Sequence, residues 1–220
     1  MNLIIDLQYF APFSFYKISY KYSNIIFEQY ETWQKMSFRN RCRIAGAEGA
    51  IDLSIPLAGG RDQKTLIKEV RIADDKQWRD RHWKTIVSCY SRSPWFDHYR
   101  DDLADLYRRP AGFLLDWNLR GFEWSMKILG MVRQVALTDE YREVYPAVEG
   151  DDWRGRIVPG EGAKKTASDG GRDVEGGGGN GDGVPRYRQV FEERTGFIPD
   201  LSILDLLFCE GKNAIRYIQS

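Results

Sequence analysis

Ser37-Phe38-Arg39-Asn40-Arg41-Cys42-Arg43-Ile44 joins dense positive charge to a period of two. Read as a strand, it sends Arg39, Arg41 and Arg43 to one face and Phe38, Asn40, Cys42 and Ile44 to the other. Three guanidiniums on one face repel each other, so the strand is comfortable only in water or opposite an anion. A carboxylate or phosphate matches their forked donors. Solvated arginines that deter sheet-to-sheet aggregation account for the same spacing. Asn40 tips the balance toward a site, because an amide on the apolar side must find hydrogen-bond partners.

Outward from this stretch, Gly46 to Gly49 reads as a turn, and Ile51-Asp52-Leu53-Ser54-Ile55 alternates apolar with polar. The two segments therefore predict an antiparallel hairpin, ended by Pro56. Upstream, Leu3-Ile4-Ile5 is a short apolar run that reads as a buried strand. Phe13, Tyr16, Lys17 and Tyr20 follow at helical spacing with Ser14 as a cap, and Asn24-Ile25-Ile26-Phe27-Glu28 reads as a second strand. This β-α-β start places Gln8 and Glu28 near strand ends, where ligands of open α/β sheets collect. No Gly-rich phosphate loop follows the first strand, which disfavours a dinucleotide or P-loop site. Beyond the polar loop Gly59-Gly60-Arg61-Asp62-Gln63-Lys64, Leu66 to Ile72 reads as another strand.

Asp74 or Asp75 is placed to cap a helix from about Gln77 to Ser91, with Trp78, His82, Thr85, Ile86 and Cys89 on one face. A histidine there is more often a packing residue than a catalytic base, and its partner decides which. Trp95 to Tyr107 forms the next helix, where His98, Asp101, Asp102 and Asp105 fall on the outer side. No second segment converges on them, and the helix dipole explains the carboxylates, so no metal site is read there. Phe113 to Leu129 is a longer apolar helix with Asn118 as its main buried-side polar residue. Residues 160 to 183 hold ten of the 21 glycines and no aromatic residue, so that segment reads as a flexible linker or disordered loop. Order returns at Tyr187-Arg188-Gln189-Val190-Phe191, and a helix capped by Asp200 or Ser202 runs through Phe208.

The fold class is therefore α/β. An N-terminal β-α-β unit and an antiparallel hairpin form a mixed sheet packed against several helices, with a Gly-rich disordered insert and a C-terminal helix. The boundaries are 1–137 for the core, 138–184 for the Gly-rich flexible segment, and 185–220 for a helical segment packing back on the core.

Lys plus Arg equals Asp plus Glu at 32 each in 220 residues, so there is no global basic field for nucleic acid. Aromatic residues reach 14%, and many lie in charged surroundings such as Trp78-Arg79-Asp80-Arg81-His82-Trp83. Such faces suit a sugar ring, a core or a protein interface, and a homo-oligomer is among the arrangements they allow. Cys42, Cys89 and Cys209 are odd in number and in no metal-ligand spacing, which argues for reduced thiols. No signal peptide and no membrane span are read, so a cytoplasmic protein is expected. No cofactor is called for. Ser202, His82 and Asp205 are the ingredients of a triad, but without a G-x-S-x-G elbow Ser202 reads as a helix cap.

The order and spacing of several motifs resemble the WbqC-like family in its short form. They are Gln8 with Pro12, Asn40-Arg41-Cys42-Arg43-Ile44, Ser54-Ile55-Pro56-Leu57, and Gly60-Arg61-Asp62-Gln63-Lys64-Thr65-Leu66-Ile67. His82-Trp83 through Tyr90, Pro94 and Phe96 follow, then Leu115-Asp116-Trp117-Asn118-Leu119, Tyr187-Arg188-Gln189-Val190-Phe191 and Leu201-Ser202-Ile203-Leu204-Asp205-Leu206-Leu207. The resemblance covers roughly 1 to 130 and 185 to 218. It implies a role in making cell-surface polysaccharide such as O-antigen, and transfer of an acyl or aminoacyl group to a nucleotide-linked amino sugar is the chemistry we expect. Under it Arg41 and Arg43 hold a diphosphate or carboxylate and Asn40 orients the strand. His82 takes the proton of the attacking amine, Asp205 orients His82, and Gln8, Tyr90 and Gln189 complete the substrate-binding set. The partner is then a nucleotide sugar or another anionic small molecule, and not a nucleic acid. A non-catalytic module that binds a sugar nucleotide or a glycan-assembly protein is the competing expectation.

Overall fold

The computed structural model describes residues 1–73, 77–160 and 183–220. Its centre is β1 (Asn2–Ile5), whose Leu3, Ile4 and Ile5 are buried. Its run of three buried apolar residues needs neighbours on both sides, and it has them. It pairs in parallel with β2 (Asn24–Phe27), which α1 (Phe13–Tyr20) precedes, so the β-α-β start is realised. Two further parallel strands complete a sheet of order β5-β2-β1-β6, where β5 is Gln134–Leu137 and β6 is Asp151–Asp152. Gly150 leads into β6 where a Cβ would stand 2.8 Å from the Asn2 carbonyl oxygen, so the chain passes too close to β1 for a side chain.

The hairpin is β3 (Arg41–Gly46) against β4 (Gly49–Ser54), with Arg41 opposite Ser54 and Arg43 opposite Asp52. It stands as its own two-stranded ribbon beside the parallel sheet. Its start corrects the reading of Ser37–Ile44. The backbone turns through Phe38, Arg39 and Asn40 before the strand begins, which breaks the alternation. Arg39 is therefore buried while Arg41 and Arg43 remain half-exposed. Leu66–Ile72 is likewise not a strand. Ile67–Glu69 form one 3-10 turn, because the Ile67 and Lys68 amides donate to the carbonyls of Glu31 and Gln29.

Four helices match the expected periodicities: α2 (Gln77–Tyr90), α3 (Phe96–Arg108), α4 (Leu114–Leu129) and α6 (Ile203–Glu210). Short turns α5 (Glu192–Thr195) and α7 (Ala214–Gln219) flank α6. The expected cap at Asp74 or Asp75 lies outside the described residues. α6 is buried from Ile203 through Cys209, which suits its mostly apolar surface and leaves Asp205 as the one charged side chain in that stretch. Ser202 caps it by accepting from the Leu204 amide. Asp200 does different work, taking the Ser14 amide at 2.8 Å and the Ser14 hydroxyl at 3.0 Å. The start of α1 is thus capped from the far end of the chain, and Ser14 donates where it was expected to accept.

Residues 138–160, assigned above to the Gly-rich segment, supply β6 and the residues that follow it; the most glycine-rich part of that segment, 161–182, lies outside the described residues. No helix among the described residues is long and apolar enough to cross a membrane.

Candidate functional site

All four strands of the parallel sheet point their carboxyl ends the same way, and polar residues gather there. Asp6 follows β1 directly, Glu28 follows β2, Thr138 follows β5, and Arg154 lies two residues beyond β6. The amides of Glu28, Thr138 and Trp153 donate to Ile5, Phe27 and Ile4, so the ladder itself fixes where these side chains start. In such sheets this edge is where ligands bind.

Glu28 is buried, and one of its oxygens accepts from the Tyr30 amide at 2.7 Å and the Thr138 hydroxyl at 3.0 Å. The other takes Arg154 at 3.3 Å. Asp6 Oδ1 accepts from the Gly155 amide at 2.8 Å, and Oδ2 accepts from Gln8 Nε2 at 2.9 Å. Arg39 sits at 1% exposure with Nε donating to Glu31 Oε1 at 3.0 Å and a second bond from Nη2 to the same oxygen. Its Nη1 stands 3.7 Å from Asp6 Oδ2 and has no hydrogen-bond partner. Asn118, a buried polar residue of α4, holds the Arg39 carbonyl at 2.7 Å.

In front of this buried group opens a cleft of about 320 Å³, lined among others by Glu31, Tyr141, Glu143, Asp152, Arg154 and Arg156. Burial pushes the Glu31 carboxyl up, Arg39 pulls it back, and the charges of Asp6 and Glu28 push it up again. Burial also opposes the charge on Asp152, but its bonds from Arg154 win and hold it below the usual carboxylate range. Gln8 Oε1 is buried and without a partner, as Arg39 Nη1 is. Buried polar atoms are rarely left so.

The residues expected to work together are divided among four places. Gln8 belongs to the carboxyl-end cluster. Arg41 and Arg43 lie on the hairpin's outer face and both reach Asp52, Arg43 through a 2.8 Å bond from Nε. Asn40 donates to the Ile55 carbonyl at 2.9 Å and extends the hairpin ladder, a structural use of its amide.

His82 packs on the other face of that ribbon. Its Nδ1 meets the Tyr9 hydroxyl at 2.9 Å, which in turn meets the Tyr107 hydroxyl at 2.5 Å, and the buried Cys42 thiol of β3 is close enough to act on the Tyr9 hydroxyl electrostatically. The imidazole and the two strand arginines are therefore on opposite sides of one hairpin. Alternation requires it, since Cys42 lies between Arg41 and Arg43. Asp205 does not reach His82, because its two oxygens accept from Tyr90 and Tyr187, each at 2.7 Å. Gln189 supports that junction by exchanging bonds with the Ile198 backbone.

Burial lowers the His82 pKa from 6.5 to about 4, with the Ser54 carbonyl opposing it. Between those values the unfolded chain takes up a proton that the folded state refuses. Stability present above pH 6.5 is thus lost as the pH falls toward 4, by about 3 kcal/mol in all. His82→Leu will be less stable at neutral pH but will lack this acid slope in urea denaturation. Identical slopes in the two proteins would mean that the folded imidazole takes up its proton as readily as the unfolded one.

The model of the WbqC-like protein family matches residues 8–169, about three-quarters of the chain. The chain belongs to that family. No curated protein and no solved structure matches it significantly. The WbqC-like match takes in Gln8, Glu28, Glu31, Arg39 and Arg154, so nearly the whole carboxyl-end cluster lies within it. It also includes 138–160, and ends before the Tyr187 and Asp205 junction.

Four residues of this WbqC-like cluster were not singled out from sequence: Asp6, Glu31, Asp152 and Arg154. Asp6 carried a usable signal, being the first charged residue after a buried strand of a β-α-β unit. Arg154 carried none, because β6 has only two residues, both aspartates, a type depleted in strands.

Proposed function

We propose that this WbqC-like chain binds a nucleotide-linked sugar at the cleft over the carboxyl ends of β1, β2 and β6, in the making of cell-surface polysaccharide of the O-antigen type. One observation carries the reading: a bare donor, Arg39 Nη1, and a bare acceptor, Gln8 Oε1, are buried around the same carboxylate, Asp6, just behind an open polar cleft. A sugar ring offers hydroxyls that both donate and accept, which is what such a pair requires. Tyr141, 55% exposed, gives the cleft an aromatic face. Arg156 is exposed at its mouth with its guanidinium over Trp153, where a phosphate can meet it.

Acyl or aminoacyl transfer to an amine of that sugar remains the chemistry we assign if a second ligand binds. The seclusion of His82 with Tyr9 and Tyr107 favours the alternative, binding without catalysis, since the buried histidine is held by Tyr9 and does not line the cleft. Thermal unfolding with UDP-sugars and acyl-CoA donors separates these. Ligand at a hundred times its Kd stabilises by about 2.7 kcal/mol, or about 2–4 °C per kcal/mol for a chain of this size. A rise with both ligands marks transfer, a rise with the sugar nucleotide alone marks binding, and no rise with any sugar nucleotide overturns the proposal.

A further inference from the structure

We infer that Glu31 is the specificity-determining residue of the cleft and that it recognises an amine, in its ammonium form, on the bound sugar. This rests on the carboxyl-end cleft being the sugar site, and it adds which sugars are taken.

The geometry starts with the two oxygens of Glu31, which have unequal roles. Arg39 holds Oε1 from behind through Nε and Nη2. Among the described residues no hydrogen bond engages Oε2, and Glu31 lines the cleft. The Arg154 guanidinium, which also lines the cleft, does not supply the missing cation. Arg154 is spent on Asp152, on Glu28 and on the Arg142 and Glu143 carbonyls.

The charges around Glu31 then decide what it attracts. Behind it Asp6 and Glu28 face Arg39, and in the cleft Glu31, Glu143 and Asp152 face Arg154 and Arg156, so carboxylates outnumber guanidiniums. Burial and the neighbouring carboxylates already push the Glu31 carboxyl up, and a second cation relieves that. The acidic excess does not stand alone, because Arg39 Nη1 and Gln8 Oε1 are buried polar atoms without partners beside it. At this buried carboxylate an ammonium gains a charge-assisted bond, roughly twice as strong as the neutral bond available to a hydroxyl or acetamide.

Isothermal titration of the full chain near neutral pH tests this with UDP-glucosamine, a UDP-4-amino-4,6-dideoxy sugar, UDP-N-acetylglucosamine and UDP-glucose. Wild type is expected to bind at least one amine-bearing probe about tenfold more tightly than both neutral ones. Glu31→Gln is expected to bring that ratio within about twofold. Equal affinities in wild type overturn the inference without any variant, which covers a Glu31→Gln protein too unstable to titrate. A preference that survives Glu31→Gln overturns it as well. If none of the four probes binds, the sugar-site reading falls and the inference falls with it.

Discussion

Arg39→Met will destabilise the protein by about 3–5 kcal/mol at neutral pH, the loss expected when one partner of a buried ion pair is removed. The side chain is 1% exposed, and it is the cation among Asp6, Glu31 and, through their shared field, Glu28. Methionine fills much of the same volume, so the effect isolates charge from packing. Without the guanidinium, nothing opposes the burial that already pushes Glu31 up, and the folded state binds a proton more readily than the unfolded chain. Stability in the variant therefore falls as the pH rises through the Glu31 pKa, and the gap to wild type narrows in acid. Glu31→Gln combined with Arg39→Met will recover part of the loss, because it removes the charge left stranded. Urea denaturation of the two single variants and the double variant supplies the cycle. Additive losses, with no recovery in the double variant, would show that Arg39 acts through packing alone.

Arg39 also marks where the sequence stopped being legible. Parity grouped it with Arg41 and Arg43, and parity holds only while the chain stays extended. The turn at Phe38–Asn40 rotates Arg39 inward toward Asp6, and neither glycine nor proline is present to announce it, so the weaker turn preferences of Ser37 and Asn40 lose to the apparent alternation. The β-α-β start was legible because Leu3–Ile5 and Asn24–Phe27 are apolar runs at the right separation, and that topology pointed to Gln8 and Glu28. The rest of the site depends on β5 and β6. β5 is an exposed edge strand of four residues, Gln-Val-Ala-Leu, whose place is fixed by pairing with β2 and not by its own pattern. Long-range pairing of this kind overrides propensity. The helical stripes were legible where burial is one-sided, as in α3 and α4, and His82 was rightly seen among core residues. What the stripe lacked was the identity of its partners, Tyr9 and Tyr107, which come from distant segments.

Asp205 supplies the second large effect. Asp205→Ala will cost about 3–5 kcal/mol, because it leaves the hydroxyls of Tyr90 and Tyr187 buried without their acceptor, each worth about 1–3 kcal/mol. The damage will spread, since the Tyr90 oxygen also accepts from the Ala45 amide at 3.0 Å and so ties the hairpin to α2 and α6. Asp205→Asn will cost much less, about 1–2 kcal/mol, for it keeps the shape and one acceptor oxygen. Burial holds the Asp205 carboxyl above its ordinary value, and the bonds from Tyr187 and Tyr90 only partly offset this. The wild-type carboxylate thus loses stability as the pH rises from 3.8 through its folded pKa, a loss that asparagine does not share. The penalty of Asp205→Asn is therefore largest in acid and shrinks toward neutral pH. The same variant distinguishes a junction from a catalytic dyad. With the imidazole held by Tyr9, the NMR titration of His82 will be unchanged in Asp205→Asn. A shift of that titration by half a pH unit or more would mean that the carboxyl acts on the imidazole after all, and would return Asp205 to a positioning role beside His82.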